Sequence, residues 1–114
     1  MEKIVTCNGI VVANHVNVAN SFFTRLRGLL GKKQLKPGEG LLIIKCSSVH
    51  CFFMKFTIDV AYLSEDFIVL GTETLLPWQV GKWVRGTKHT LELEEGKVES
   101  LIKKGDRLDF EDTK

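Results

Sequence analysis

The densest chemistry in the sequence lies in Cys46-Ser47-Ser48-Val49-His50-Cys51-Phe52-Phe53-Met54-Lys55-Phe56-Thr57-Ile58-Asp59. Two cysteines, a histidine, a thioether and a carboxylate stand there among bulky apolar neighbours. Asp59 makes the sharpest demand. Strand periodicity puts it on one face with Ala61 and Leu63, and a carboxylate among apolar groups must be hydrogen-bonded, paired or protonated. His50 and Lys55 are the nearby candidates for pairing. The plainer alternative is that Asp59 caps a turn or accepts backbone N–H groups.

A metal held by Cys46, His50 and Cys51 is the obvious second thought, and strand geometry weakens it. Four extended residues separate Cys46 from His50 by ~13 Å, and Cys51 points to the opposite face. Convergence needs a turn over Ser47, Ser48 and Val49 and a fourth ligand such as Cys7, and the spacing fits no zinc pattern. No metal or other cofactor is therefore expected. A thiolate enzyme needs a base beside its cysteine. His50 and Cys51 diverge on a strand, so Cys7 or Cys46 would have to meet His50 through the fold. No phosphate-cradling glycine loop, nucleophile elbow or His-Glu-x-x-His is present.

The second candidate stretch is Pro77-Trp78-Gln79-Val80-Gly81-Lys82-Trp83-Val84-Arg85-Gly86-Thr87-Lys88-His89. Indoles interleaved with Lys82, Arg85 and Lys88 could stack bases and meet phosphates. Alternatively the indoles plug an open barrel end while the cations stay solvated. Trp78, next to Pro77, is assigned to the plug; Trp83 is left open.

The elements that must position these residues are mostly strands. Lys3 to Cys7 and Ile10 to Ala13 flank Asn8-Gly9, whose tolerance of positive φ predicts a tight hairpin. Asn20 or Ser21 caps a helix over 21–30, stopped by Gly31, with Phe22, Phe23, Leu26, Leu29 and Leu30 within an arc of about 120°. Gly28 lies off that stripe: either the helix is simply weak there or something approaches its backbone closely, a loop of the same chain being preferred over a ligand. Lys32 to Gly38 reads as a basic connector. Leu41 to Ile44 is apolar throughout, as in a central strand.

Thr57 to Leu63 and Phe67 to Leu75 form a hairpin around Ser64-Glu65-Asp66. Lys88 to Glu94 alternates, with His89, Leu91 and Leu93 facing one way and Thr90, Glu92 and Glu94 a wet face. Val98 to Lys104 fits a short helix and Asp106 to Phe110 a last strand. The expectation is a mainly β (α+β) fold with a small, mostly antiparallel curled sheet or barrel. One amphipathic helix packs on it and a short helix lies near the C-terminus.

Composition bounds the rest. The 114 residues, 44% hydrophobic and 26% charged, give room for one globular domain over 1–114. Sixteen basic against fourteen acidic residues leave a net charge of +2, too balanced to point to nucleic acid by itself. No apolar run approaches the ~20 residues that span a bilayer, and no signal-peptide pattern opens the chain. An odd cysteine count without a Cys-x-x-Cys pair suits free thiols. The expected address is cytoplasmic, with no membrane partner.

Taken in order, these motifs resemble a prokaryotic family known as domain of unknown function 192, or uncharacterised protein family 0127. The match runs from about Asn20 to Phe110. It comprises Arg27-Gly28-Leu29, Gly40-Leu41-Leu42, His50, Phe53-Met54-Lys55, Ile58-Asp59-Val60, Leu91-Glu92-Leu93 with Gly96, and Gly105-Asp106. Phe53 stands where many members have tryptophan, and the gap from Met54 to Asp59 is short, so contacts that depend on either are not carried over. The resemblance implies the fold and the site region; it supplies no reaction.

Three functions remain. The first is a non-catalytic module binding a small molecule or peptide through His50, Met54, Asp59, Trp83 and Arg85, polar groups among apolar ones. The second is a thiol- or metal-dependent enzyme using Cys46, His50 and Cys51. The third is single-stranded nucleic-acid binding through Trp78 to Lys88. The first needs no unseen convergence of ligands and is preferred.

Overall fold

The computed structural model describes residues 2–19, 35–45 and 56–113. The helix expected over 21–30, including Gly28, and the segment holding Cys46, His50, Cys51 and Met54 lie outside the described residues. The described elements are β1 (Glu2–Cys7), β2 (Ile10–Ala19), β3 (Glu39–Ile43), β4 (Ile58–Leu63), β5 (Val69–Leu75), β6 (His89–Glu94), α1 (Lys97–Leu101) and β7 (Leu108–Asp112).

The first hairpin forms as its turn residues require, with Asn8 at φ 54° and Gly9 at φ 79°. The strands make one sheet in the order β5-β4-β6-β3-β2-β1-β7. Every pairing is antiparallel except β2 with β3. Residues 20–38 join that parallel pair, a connection of the length a crossover needs. The parallel step was not anticipated, because strand runs alone do not reveal which neighbours a chain chooses.

The sheet curls until its outer strands touch. Ile68 bridges Arg107, the Val69 N–H donates to the Asp106 carbonyl at 2.7 Å, and the Gly105 N–H donates to the Val69 carbonyl at 2.7 Å. The product is a half-open barrel. Its interior holds Val5, Val16, Leu42, Leu63, Leu91 and Leu93, joined by Val98 and Ile102 from α1 and the turn after it. A second cluster, with Ile43, Ile58, Val60 and Tyr62, covers the outer face. β4 is consequently buried on both sides, with Ile58, Val60 and Tyr62 in the outer cluster and Ala61 and Leu63 in the inner one.

Two expectations fail here. The alternation of β6 was read as one wet face, yet Thr90 and Glu92 are 0% exposed. β6 lies between β3 and β4, and in register these residues oppose Ile43 and Tyr62, and Leu41 and Val60, so the outer cluster encloses them. Trp78 does not plug the barrel: it is 59% exposed and Trp83 is 75% exposed. The stopper is α1, which the left-handed Gly96 (φ 98°) turns back onto the interior directly after β6. Among the described residues no helix is long and apolar enough to cross a membrane.

Candidate functional site

Asp59 sits on the inner face of β4 opposite Leu93 and is 1% exposed. Its Oδ1 accepts from the Thr74 hydroxyl at 2.7 Å, and its Oδ2 accepts from the N–H groups of Gly96 at 2.8 Å and Val98 at 3.1 Å. The first N–H groups of a helix have no partner within it, and a glycine N-cap brings no side chain to satisfy them. Asp59 supplies that acceptor from across the sheet, tying α1 to β4 and β5.

The other end of the same strands is built differently. Asp59 and Leu63 are four residues apart, ~13 Å along β4, and Leu63 is paired with His89. His89 Nδ1 accepts the Lys45 backbone N–H at 3.0 Å, so the proton is assigned to Nε2. The imidazole stacks on Phe67 with centroids 5.0 Å apart and planes at 24°. Burial pushes its pKa below 6.5; the Glu65 carboxylate opposes the shift and the Lys45 ammonium adds to it.

Both flanking residues hold the left-handed conformation, Lys45 at φ 59° and Phe67 at φ 64°. For residues with a side chain this costs about 1–2 kcal/mol each. The Ser64 hydroxyl oxygen accepts the N–H groups of Asp66 at 3.2 Å and Ile68 at 3.1 Å, shaping the turn that delivers Phe67. Against this cluster lies a cavity of ≈ 480 Å³ lined by Lys45, Glu65, Thr87, Lys88 and His89. The Thr87 hydroxyl donates to the Val84 carbonyl at 2.8 Å, leaving its oxygen as an acceptor.

The model of DUF192, an uncharacterised ACR family, matches residues 3–110. The chain belongs to the DUF192 family. It is 30% identical over 112 residues to a UPF0127 protein of Thermococcus sibiricus, covering 90% of this chain and 70% of that one. With a UPF0127 protein of Pyrococcus horikoshii it shares 33% over 89 residues, covering 75% and 77% of the two chains. A crystal structure of a protein of unknown function from Novosphingobium aromaticivorans has the same fold, with a TM-score of 0.79 at 18% identity. That match covers 94% of this chain and 82% of the other. A putative transcription regulator from Sinorhizobium meliloti aligns with a TM-score of 0.72 at 20% identity, over 95% and 91% of the chains.

Among the described residues, several of those that carry this DUF192 resemblance build closures of the fold. Asp59 opposes Leu93 and binds Gly96, Gly40 also opposes Leu93, and Gly105-Asp106 joins the two sheet edges at Val69. The residues expected to share one hollow are not brought together where they are described. Asp59 faces α1 inside the barrel, whereas Trp83 and Arg85 are exposed on a loop whose Val84 packs on the outer cluster. His50 and Met54 lie outside the described residues.

The sequence reading missed Lys45, Glu65, Thr87, Lys88 and His89 as a group. Its one available signal was His89, a titratable ring on the same face as Leu91 and Leu93, the logic that singled out Asp59. Cys7 is a buried thiol that donates to Asp106 Oδ2 at 3.3 Å. Burial and the Asp106 carboxylate push its pKa up to about 11, so it stays a protonated thiol at neutral pH.

Proposed function

We propose that this DUF192 domain is a non-catalytic binding module whose cavity beside His89 takes a small molecule bearing a carboxylate or phosphate. The observation that carries the reading is the fixed imidazole. Nδ1 is held by the Lys45 N–H and the ring by Phe67, so a neutral Nε2–H is set as a donor beside two ammonium groups, Lys45 and Lys88. A lowered pKa suits a constant hydrogen-bond donor better than a proton shuttle at neutral pH. The volume falls within the range of small-molecule sites, and among the described lining residues two cations outweigh one carboxylate, Glu65. Left-handed Lys45 and Phe67 add weight, since strain in a fold collects where a ligand is held.

Trp83 and Arg85 enter this reading only through their loop, whose last residues, Thr87 and Lys88, line the cavity. Asp59 serves the fold. His50 and Met54 follow Lys45 in the chain and keep their expected place as contributors, which His50→Ala tests.

A thermal-shift screen of small organic acids and phosphates is the test. At least one compound should raise the Tm of the wild-type protein. Lys88→Ala and His89→Ala should each weaken its binding by about tenfold or more, the worth of a hydrogen bond to a charged group. Lys88 is exposed, so its variant should keep the ligand-free Tm. No stabilising anion, or one that binds Lys88→Ala and His89→Ala undiminished, sinks the reading.

A further inference from the structure

The loop between β5 and β6 displays large apolar side chains to solvent: Leu76 is 53%, Trp78 59%, Val80 63% and Trp83 75% exposed. It is held in this shape. The Gln79 N–H donates to the Leu76 carbonyl at 3.1 Å, the Gln79 side-chain oxygen accepts the Leu76 N–H at 2.8 Å, and the Lys82 N–H donates to Glu73 Oε2 at 2.7 Å. Trp78 stands at φ 71° in the third position of the Leu76–Gln79 turn, a place that ordinarily takes glycine or asparagine. The fold thus accepts backbone strain at an indole that it does not bury.

Charge is concentrated in the same stretch. Residues 76–88 hold Lys82, Arg85 and Lys88 and no acid, while the other residues carry thirteen basic against fourteen acidic side chains. The loop is +3 on a remainder of −1.

We propose that this loop docks the protein peripherally on an anionic lipid bilayer, with Trp78, Val80 and Trp83 seated at the interface and Lys82 and Arg85 against the headgroups. Indoles favour the boundary between hydrocarbon and water, and cations beside them add attraction to an acidic leaflet. Leu76 and Val80 decide against single-stranded nucleic acid, because an aliphatic side chain offers no π-face to a base. The charge decides against a second copy, because a two-fold contact would set two +3 loops against each other. The lack of an apolar run of spanning length bears on crossing a bilayer and leaves surface attachment untouched.

Both tryptophans of the chain lie in this loop, so tryptophan fluorescence, excited selectively over Tyr62, reports on it alone. The full-length protein is titrated with vesicles of phosphatidylcholine, and with vesicles of equal parts phosphatidylcholine and phosphatidylglycerol. The expected result is a blue shift and co-sedimentation with the anionic vesicles, reversed by salt. Lys82→Glu and Arg85→Glu should each lower affinity at least about fivefold, the share of one cation near the surface. Trp83→Ala should lower it further, with an unchanged far-ultraviolet spectrum. None of the three substitutions falls on a described residue lining the His89 cavity, so failure here leaves the ligand reading standing. Three results overturn the proposal: no shift with either vesicle, oligothymidylate binding without vesicle binding, or dimerisation through the loop without vesicle binding.

Discussion

Asp59 and His89 stand near opposite ends of the same pair of strands, on the same face of the sheet, and each brings a titratable group to the barrel interior. At the Asp59 end the carboxylate meets a hydroxyl and two backbone N–H groups, all from the chain, and Asp59 itself is 1% exposed. At the His89 end one ring nitrogen is anchored on Lys45, the backbone is left-handed on both sides, and a cavity opens beside the ring. Strand, sheet and face are shared, so the difference lies in where the polar partners come from. A buried polar group satisfied within the chain holds elements together. One satisfied in part, at a strained and open end, is placed to meet something else.

The contrast breaks most visibly at Asp59. Asp59→Ala leaves the Thr74 hydroxyl and the N–H groups of Gly96 and Val98 without their acceptor; Val98 is buried, whereas water can reach Thr74 and Gly96. With about 1–3 kcal/mol for the stranded Val98 N–H and about 0.5 kcal/mol for each hydrogen bond that water can replace, the expected loss of stability is roughly 2–4 kcal/mol in urea unfolding. Asp59→Asn, which retains one carbonyl acceptor, should lose less. A loss under about 1 kcal/mol for the alanine variant would mean that α1 is not tethered through this carboxylate.

His89→Ala should cost less, about 1–2 kcal/mol, because it removes one ring stack and an acceptor that water can replace at the open end. His89 also gives its end a pH signature. Its pKa is lowered from 6.5 in the folded protein, so below 6.5 the unfolded chain binds the proton more readily. Stability is fully present above that pH and declines as pH falls through the folded value, where the protonated ring can no longer accept the Lys45 N–H. Unfolding free energies measured downward from neutrality should show a shallower decline in His89→Gln than in the wild type. Parallel curves would remove His89 from the account.

What could be read from sequence, and what could not, follows the range of the interactions. Asn8-Gly9 and Ser64-Glu65-Asp66 reveal their hairpins because the conformational demand and the residues that meet it are adjacent. Asp59 was legible as a carboxylate in need of partners, but those partners, Thr74, Gly96 and Val98, stand 15 to 39 residues away, and nothing local names them. In β6 the alternation was read correctly and its meaning was not. A period of two distinguishes the faces of a strand without saying whether the polar one is wet, and Glu92 proves enclosed. The cavity was illegible for the same reason as the Asp59 tether. Lys45, Glu65 and His89 come from the ends of three strands, and only closure of the sheet gathers them.

The smallest expected change in stability tests the comparison most finely. Lys45 pays a left-handed penalty of about 1–2 kcal/mol that glycine would escape, against about 0.5–1 kcal/mol of added chain entropy in the unfolded state. Its bond to His89 uses the backbone N–H, which glycine keeps. Lys45→Gly should therefore leave Tm unchanged or slightly higher, while Lys45→Ala, which keeps the strain and loses the ammonium, should not gain. Both should bind a small anion more weakly than the wild type. At the Asp59 end no substitution is expected to separate stability from binding in this way, because there every contact serves the fold. If Lys45→Gly instead destabilises the protein and leaves anion binding intact, Lys45 belongs to the architecture, and the two ends of the barrel are alike.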